Sequence, residues 1–242
     1  MKFKTSISSI NNGEEIVRGQ NLPDLIKEKN FGEVVFLVLK GKFPNDNESK
    51  MINAVLGSMV DHGPGTNSAL TTRVVNSAGN SLHTSVAAGI LSLGGTRHGG
   101  ALEGAAQFFQ ENKNTVNVSG LLKELKEKKV RIPGFGHKVL AHDKRTEVLF
   151  EVAKKTGFYR EHCEFAAQVH KELNKISSKP LPLNMDGANA AVLSDMGFDW
   201  RMVIGFFIIS RSVGLVAHAY EEMNSGEGIR RLDEATEIEY VG

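Results

Sequence analysis

The chain has 242 residues, 40% hydrophobic and 24% charged, which allows one large domain or two modest ones and suffices for a packed core. Its 29 Lys and Arg nearly balance 28 Asp and Glu, giving a formal net charge of +1; that excludes a global positive field able to gather nucleic acid or an anionic membrane, so any anion binding must be local. A single cysteine, Cys163, excludes an internal disulfide framework, and without a CxxC pair or a Cys/His spacing no metal site is expected.

The amino terminus, MKFKTSISSINNGEE, has no apolar signal core, and no apolar run reaches the ~18 residues that suggest a membrane span. A soluble, cytoplasmic protein is expected. Phe3 to Val17 alternates polar and β-branched positions around Asn12-Gly13, the strongest short hairpin signal. Helical patterns follow from Pro23 to Lys29, from Phe31 to Lys40, which is apolar almost all round, and from Asp46 to Met59. The loop Asp61-His62-Gly63-Pro64-Gly65 leads into Thr66 to Ala78 and Leu82 to Leu93, rich in small residues and expected to form two closely packed interior helices.

Gly94 to Gly100, GGTRHGG, breaks this run before a helix from Ala101 to Gln110. Val118 to Lys129 reads as an amphipathic helix with a charged outer face, and Lys144 to Thr156 and Glu161 to Ile176 have helical spacing about the Gly157 break. Ser177 to Asp186 is proline-rich and extended, and Gly187 to Met196 turns helical again. Trp200 to Glu222 is apolar on most faces except at Arg211 and His218, and an arginine at its centre favours a buried or subunit-interface helix over a membrane span. The tail from Asn224 is polar, with Arg230-Arg231 and a possible final short strand. About ten helices and one hairpin, without alternating strands and helices, predict an all-α fold.

The chemistry gathers on three loops. Pro133 to Arg145, PGFGHKVLAHDKR, joins a Gly-rich turn to a histidine, two lysines and an arginine, a local anion pocket by residue type. His98 stands in a second glycine loop, and Asp186 ends the extended proline stretch; each of His98, His137 and Asp186 ends a loop before a helix, where donors suit negative ligands. Taken singly, His98 reads equally as a turn residue, His137 as a surface histidine and Asp186 as an N-cap. An arginine inside an apolar helix, as Arg211 is, demands a buried anion.

Six segments in order carry a family resemblance: Ile16 to Asn45, DHGPGTNSALTTRVV (Asp61 to Val75), GGTRHGGALEGA (Gly94 to Ala105), PGFGHKV…DKR (Pro133 to Arg145), LNMDGANAAVL (Leu183 to Leu193) and ISRSVGLVAHAYEE (Ile209 to Glu222). Together they resemble the citrate synthase superfamily over nearly the whole chain. Within it the likeness is closest to the citryl-CoA lyase branch, which also forms the carboxy-terminal module of ATP-citrate lyases. DHGPG, LSLGGTRHGGALEGAAQFF and LNMDG look like that branch, whereas citrate synthases proper are generally longer. His98 departs from the pattern: ATP-citrate lyases carry an aromatic residue there and citrate synthases a histidine.

The resemblance implies a citrate synthase-like all-α fold with a short amino-terminal β-hairpin. It implies a large helical dimerisation domain (1–99 and 197–242), a smaller mobile domain (100–196) and a homodimer or higher homo-oligomer. It implies cleavage of citryl-CoA to acetyl-CoA and oxaloacetate, with His98, His137 and Asp186 catalytic. His62, Arg145, Arg211 and Arg231 would bind the citryl or oxaloacetate part, with Arg230 the rival of Arg231 as the arginine supplied to a neighbouring subunit. Coenzyme A would lie along Pro133, Gly134, Phe135, Gly136 and Lys138, with Lys179 and Asn184 as further contacts. The coenzyme A thioester is substrate, with no permanent cofactor and no metal expected, and a separate citryl-CoA synthetase is a possible partner. Two other readings stay open: a short citrate or 2-methylcitrate synthase that hydrolyses the thioester, and a non-catalytic acyl-CoA- or citrate-binding protein.

Overall fold

A computed structural model describes residues 2–136 and 143–242 of the chain. Among them are eleven α-helices and one small three-stranded sheet, so the all-α reading holds. The sheet starts the chain: β1 (Ser8–Asn11) pairs antiparallel with β2 (Glu14–Val17), and β2 with β3 (Gln20–Asn21). Asn12 and Gly13 both take positive φ, 51° and 83°, as a two-residue hairpin turn requires. The third strand was not expected. It is made by a second such turn at Arg18-Gly19, where Arg18 takes a φ of 48°. No turn rule favours arginine there; its guanidinium holds the position by donating from Nε to the Val38 carbonyl at 2.9 Å and from Nη1 to Ser6 Oγ at 2.8 Å.

The next helices are α1 (Leu22–Glu28), α2 (Phe31–Lys40) and α3 (Asp46–Ser58). α2 and α3 each open with a capping box, Asn30 with Glu33 and Asn45 with Glu48, in which two otherwise unpaired backbone donors are satisfied reciprocally. α4 (Asn67–Ser77) and α5 (Leu82–Leu93) pack against one another so closely that a Cβ on Gly89 would collide with Thr72 Oγ1. Their small residues face each other as expected, but the pair is not interior to the single chain: Leu70, Val74 and Leu91 are exposed on its outer side.

Then come α6 (Gly100–Asn112), α7 (Val118–Glu127), α8 (Lys144–Thr156), α9 (Glu161–Ile176), α10 (Met185–Asp195) and α11 (Trp200–Met223). α10 is the centre, packed on α6, α8 and α9 and buried at every residue but Asp186. It begins two residues before the expected Gly187, because Asn184 caps it by accepting from the Gly187 N–H at 3.0 Å. Asp195, at its other end, accepts from the backbone N–H groups of Arg160, His162 and Cys163 at 2.8, 3.0 and 3.1 Å and from His162 Nδ1 at 2.8 Å. One carboxylate thus satisfies the donors at the start of α9 and fixes α9 to α10.

α11 is long and apolar enough to cross a membrane by length and composition. One face packs on α4, α5 and α6 through Val203, Phe206, Phe207, Gly214 and Leu215, while Val213, Val216 and Tyr220 on the other are exposed. The tail that follows forms no strand among the described residues; a turn at 234–237 takes the place of the expected one. Arg230 anchors the tail, its Nε donating to the buried Glu222 carboxylate at 2.5 Å while its backbone N–H donates to Ser77 Oγ at 2.9 Å.

Candidate active site

Two of the expected loops are joined directly. The Gly134 carbonyl accepts from the Asn184 N–H at 3.0 Å, the Gly136 N–H donates to the Pro182 carbonyl at 2.7 Å, and Phe135 bridges Leu183 as a lone antiparallel pair. Gly134 and Gly136 both take positive φ, 85° and 86°, which glycine alone adopts without strain. The Pro133–Gly136 arm is therefore laid along the segment that delivers Asp186. His137 and Lys138 lie outside the described residues.

Asp186 sits in the first turn of α10, and its role as N-cap is taken by Asn184. Burial pushes its carboxyl up to about 6, against the pull of Arg211 and Arg145 and with a further push from Asp143. A carboxyl poised there can both hold and release a proton near neutral pH. The crowding comes from α10 itself, whose small side chains let neighbouring helices approach.

His98 is set by the tightly wound Gly94–Gly100 turn, where the His98 and Gly100 N–H groups both donate to the Gly95 carbonyl, at 2.9 and 3.1 Å. A Cβ on Gly99 would meet the Leu93 carbonyl at 2.7 Å and Phe207 at 3.0 Å, so the turn closes only with glycine. The His98 ring stands edge-on to Phe207, with centroids 5.7 Å apart, and its Nε2 lies 2.9 Å from Ser68 Oγ. Burial, with Arg211 and then His62 as neighbouring positive groups, lowers it to about 4. At neutral pH it is an uncharged imidazole, with one proton to donate.

Arg211 is the charge these groups share. It is buried, donates from Nε to the Met59 carbonyl at 3.0 Å and from Nη1 to Ser68 Oγ at 3.4 Å, and lies over the Phe207 ring at 4.8 Å. Burial lowers its own pKa, opposed by Asp61 and Asp186. The anion that a buried arginine demands is thus partly supplied by the protein. Arg145 is held as a fork by Asp143, with Nε to Oδ1 at 3.0 Å and Nη2 to Oδ2 at 2.8 Å, and its Nη1 meets His62 Nδ1 at 3.0 Å. A guanidinium only donates, so in a neutral His62 ring the proton is on Nε2.

The structure therefore links His62, His98, Arg145, Asp186 and Arg211 in one cluster, in which His98 and Arg211 share Ser68, Arg145 meets His62, and Arg211 and Arg145 both act on Asp186. Arg231 is not among them: it is exposed on the tail and has no hydrogen bond or ion pair among the described residues, while Arg230 is committed to Glu222. Asn184 spends its side chain within the protein, accepting from the Gly187 N–H and donating to the Gly136 carbonyl at 2.9 Å. Lys179 is exposed in the segment running to Pro182, and behind Phe135 opens an apolar hollow of about 210 Å³ lined by Leu122, Leu125, Ile176 and Leu181. Ser68, Asp143 and Phe207 were missed by sequence reasoning. A serine in a small-residue helix, an aspartate before a helix and a phenylalanine in an apolar helix carry no signal of a site.

The family description "Citrate synthase, C-terminal domain" matches residues 44–232. The chain is similar to the citryl-CoA lyase of Hydrogenobacter thermophilus, with 45% identity and a TM-score of 0.92 over 99% of this chain and 94% of that one. It is also similar to a mutant ATP citrate lyase of Methanosaeta concilii determined in complex with (3S)-citryl-CoA, with 28% identity and a TM-score of 0.89 over 100% of this chain and 42% of that one. A probable ATP-citrate synthase of Dictyostelium discoideum is 32% identical over 95% of this chain, which spans only 40% of that relative's length. On these matches the chain belongs to the citrate synthase family.

Proposed function

We propose that the protein is a citryl-CoA lyase, cleaving citryl-CoA to acetyl-CoA and oxaloacetate without hydrolysing the thioester. The observation that supports the lyase reading is the 45% identity to the Hydrogenobacter thermophilus citryl-CoA lyase over nearly the whole of both chains, with the groups for carbon–carbon cleavage present as Asp186, whose carboxyl is pushed up to about 6, and His98, an uncharged donor, both neighbours of the buried Arg211. Breaking this carbon–carbon bond needs a base at the citryl hydroxyl, a donor where enolate charge develops and an acid for the departing carbon. His137, by its place in the family pattern, takes the hydroxyl proton. The bond between the carbinol carbon and the methylene then breaks, its electrons passing to the thioester oxygen. His98 donates to that oxygen, and protonated Asp186 gives its proton to the carbon, leaving the methyl group of acetyl-CoA. Arg145, Arg211 and His62 hold the carboxylates of the four-carbon part.

Coenzyme A would run along Pro133 to Gly136 and on to Lys138, with its apolar parts toward the hollow behind Phe135 and its phosphates near Lys179. Asn184 would act on it only by holding the Gly136 carbonyl. The exposed Leu70, Val74, Leu91, Val213 and Val216 form an apolar face of the kind a second copy covers, which supports a homodimer with Arg231 reaching into the partner's cleft. Residues 100–196 would form the smaller domain, closing over the ligands to exclude water. A separate citryl-CoA synthetase would supply the substrate.

The test is direct: the purified protein mixed with citryl-CoA and excess NADH-linked malate dehydrogenase should consume NADH as oxaloacetate appears. No consumption, with the coupling enzyme verified on added oxaloacetate, would refute the lyase reading. The short-synthase reading is favoured by one feature, His98, and differs in the fate of the thioester.

A further inference from the structure

Three residues of α11, each about one turn from the next, hold three consecutive residues after α3. Arg211 donates to the Met59 carbonyl. Gly214 lies under Val60, whose carbonyl would collide with any Cβ there. His218 Nε2 meets Asp61 Oδ1 at 3.1 Å. The next residue in the chain is His62, whose ring contacts Arg145. The face of α11 that presents residues 211, 214 and 218 therefore sets the path of the chain up to the edge of the cleft.

Asp61 grips the loop from both sides. One oxygen accepts from His218, and the other accepts from the Gly63 N–H at 3.0 Å, so the carboxylate closes a turn with His62 at its apex. Gly63 takes a φ of 88°, which suits it to that turn. Burial would push this carboxyl up, but the hydrogen bonds from Gly63, His218 and His62 outweigh it and hold the group below its ordinary range. It is a fixed negative acceptor at neutral pH. Arg73 Nη1 approaches His218 Nδ1 at 3.5 Å and can only donate, so in a neutral His218 ring the proton is on Nε2, toward Asp61. Arg73 is itself held by Glu221 at 2.7 Å and the buried Glu222 at 2.8 Å.

We propose that His218 and Asp61 are positioning residues that hold His62 against Arg145 in register for the four-carbon acid. Among the described residues, His218 pairs with Asp61, Arg73 and Glu221 and with none of His62, His98, Arg145, Asp186 and Arg211, so it would act through Asp61. The proposal rests on the assignment of His62 to that acid. A histidine that merely joined α11 to the core would lower stability without favouring one ligand over another.

A double-mutant cycle separates these roles. Citrate and coenzyme A binding are measured by calorimetry on His218→Leu, His218→Gln, Asp61→Asn, His62→Ala and the double variant His62→Ala/His218→Leu. Loss of one positioning hydrogen bond should weaken citrate about tenfold in His218→Leu and Asp61→Asn, with coenzyme A binding unchanged. His218→Gln, which keeps a donor at a similar reach, should recover most of the loss. In the His62→Ala background, His218→Leu should add nothing. An equal loss in both backgrounds, or a parallel loss of citrate and coenzyme A, would overturn the proposal. Should His218→Leu not fold, Asp61→Asn, alone and combined with His62→Ala, carries the same cycle. If the unaltered protein binds no free citrate, the lyase reading is judged by the citryl-CoA assay alone, and amide hydrogen exchange decides the positioning role. Exchange should then rise across residues 61–65 in Asp61→Asn and His218→Leu while α11 stays protected, and unchanged exchange there would overturn it.

Discussion

Gly134 and Gly187 pack backbone against backbone: a Cβ on Gly134 would stand 2.8 Å from the Cα of Gly187, and one on Gly187 would collide with the Gly134 carbonyl. This contact joins the arm proposed for coenzyme A to the helix that carries Asp186. On the proposed function, binding the thioester and placing the acid that acts on it would be one structural event.

Gly134→Ala is expected to break that junction. The left-handed backbone alone costs a non-glycine residue about 1–2 kcal/mol, and the clash is with main chain that cannot turn aside. A loss of more than about 2 kcal/mol in urea unfolding, with a matching loss of coenzyme A binding, is the expected outcome. Gly157→Ala is the control, since a Cβ there meets nothing within 4 Å and only the backbone strain at φ 77° remains.

Asp195→Ala should be among the most destabilising single changes. It leaves three backbone N–H groups and His162 without their acceptor at a buried helix start, at a cost of about 3–5 kcal/mol. Burial would raise the Asp195 carboxyl, but the bonds from His162, Cys163 and Arg160 hold it below the ordinary carboxylate range. Its contribution is therefore present above about pH 4 and is lost as pH falls through the lowered folded value. Denaturation midpoints of the parent and the variant should converge in acid.

Much of this was legible in the sequence, for physical reasons that differ by element. Asn12-Gly13 and the break at Gly157 are local signals, and the elements they bound fall where expected within one or two residues. β3 was not legible because Arg18 is held in its turn by Val38 and Ser6, contacts made through space. His62, His98, Arg145, Asp186 and Arg211 could be named as residue types in a family pattern. Their environments could not: the rise of Asp186 and the fall of His98 come from burial by helices distant in the chain. Ser68 gave no signal, and His218 stood out only as a polar residue in an apolar helix, because a serine or a histidine on a helix face becomes part of a site only through the neighbours folding brings to it.

Asp186→Asn should abolish cleavage, by about a thousandfold or more, while sparing citrate and coenzyme A binding. The same change should stabilise the protein at pH 7.5. With a folded value near 6 against an ordinary 3.8, the folded state holds this proton more tightly than the unfolded chain. The penalty of the buried charge thus grows from about pH 4 and is complete above about pH 6, at most about 3 kcal/mol. A higher melting temperature of the variant at pH 7.5, narrowing toward pH 4, checks the sign.

On the proposed mechanism cleavage uses the protonated Asp186, so kcat/KM for citryl-CoA should fall above about pH 6. A profile that stays flat through that region would assign the group to another role.

The central claim is that this site handles citryl-CoA without opening its thioester, and free thiol measures that most directly. With acetyl-CoA and oxaloacetate present, the protein is expected to exchange the methyl protons of acetyl-CoA for solvent deuterium and form citryl-CoA, while a thiol reagent detects no release of coenzyme A. Sustained release of free coenzyme A, stoichiometric with oxaloacetate consumed, would contradict the account and make the protein a short citrate synthase.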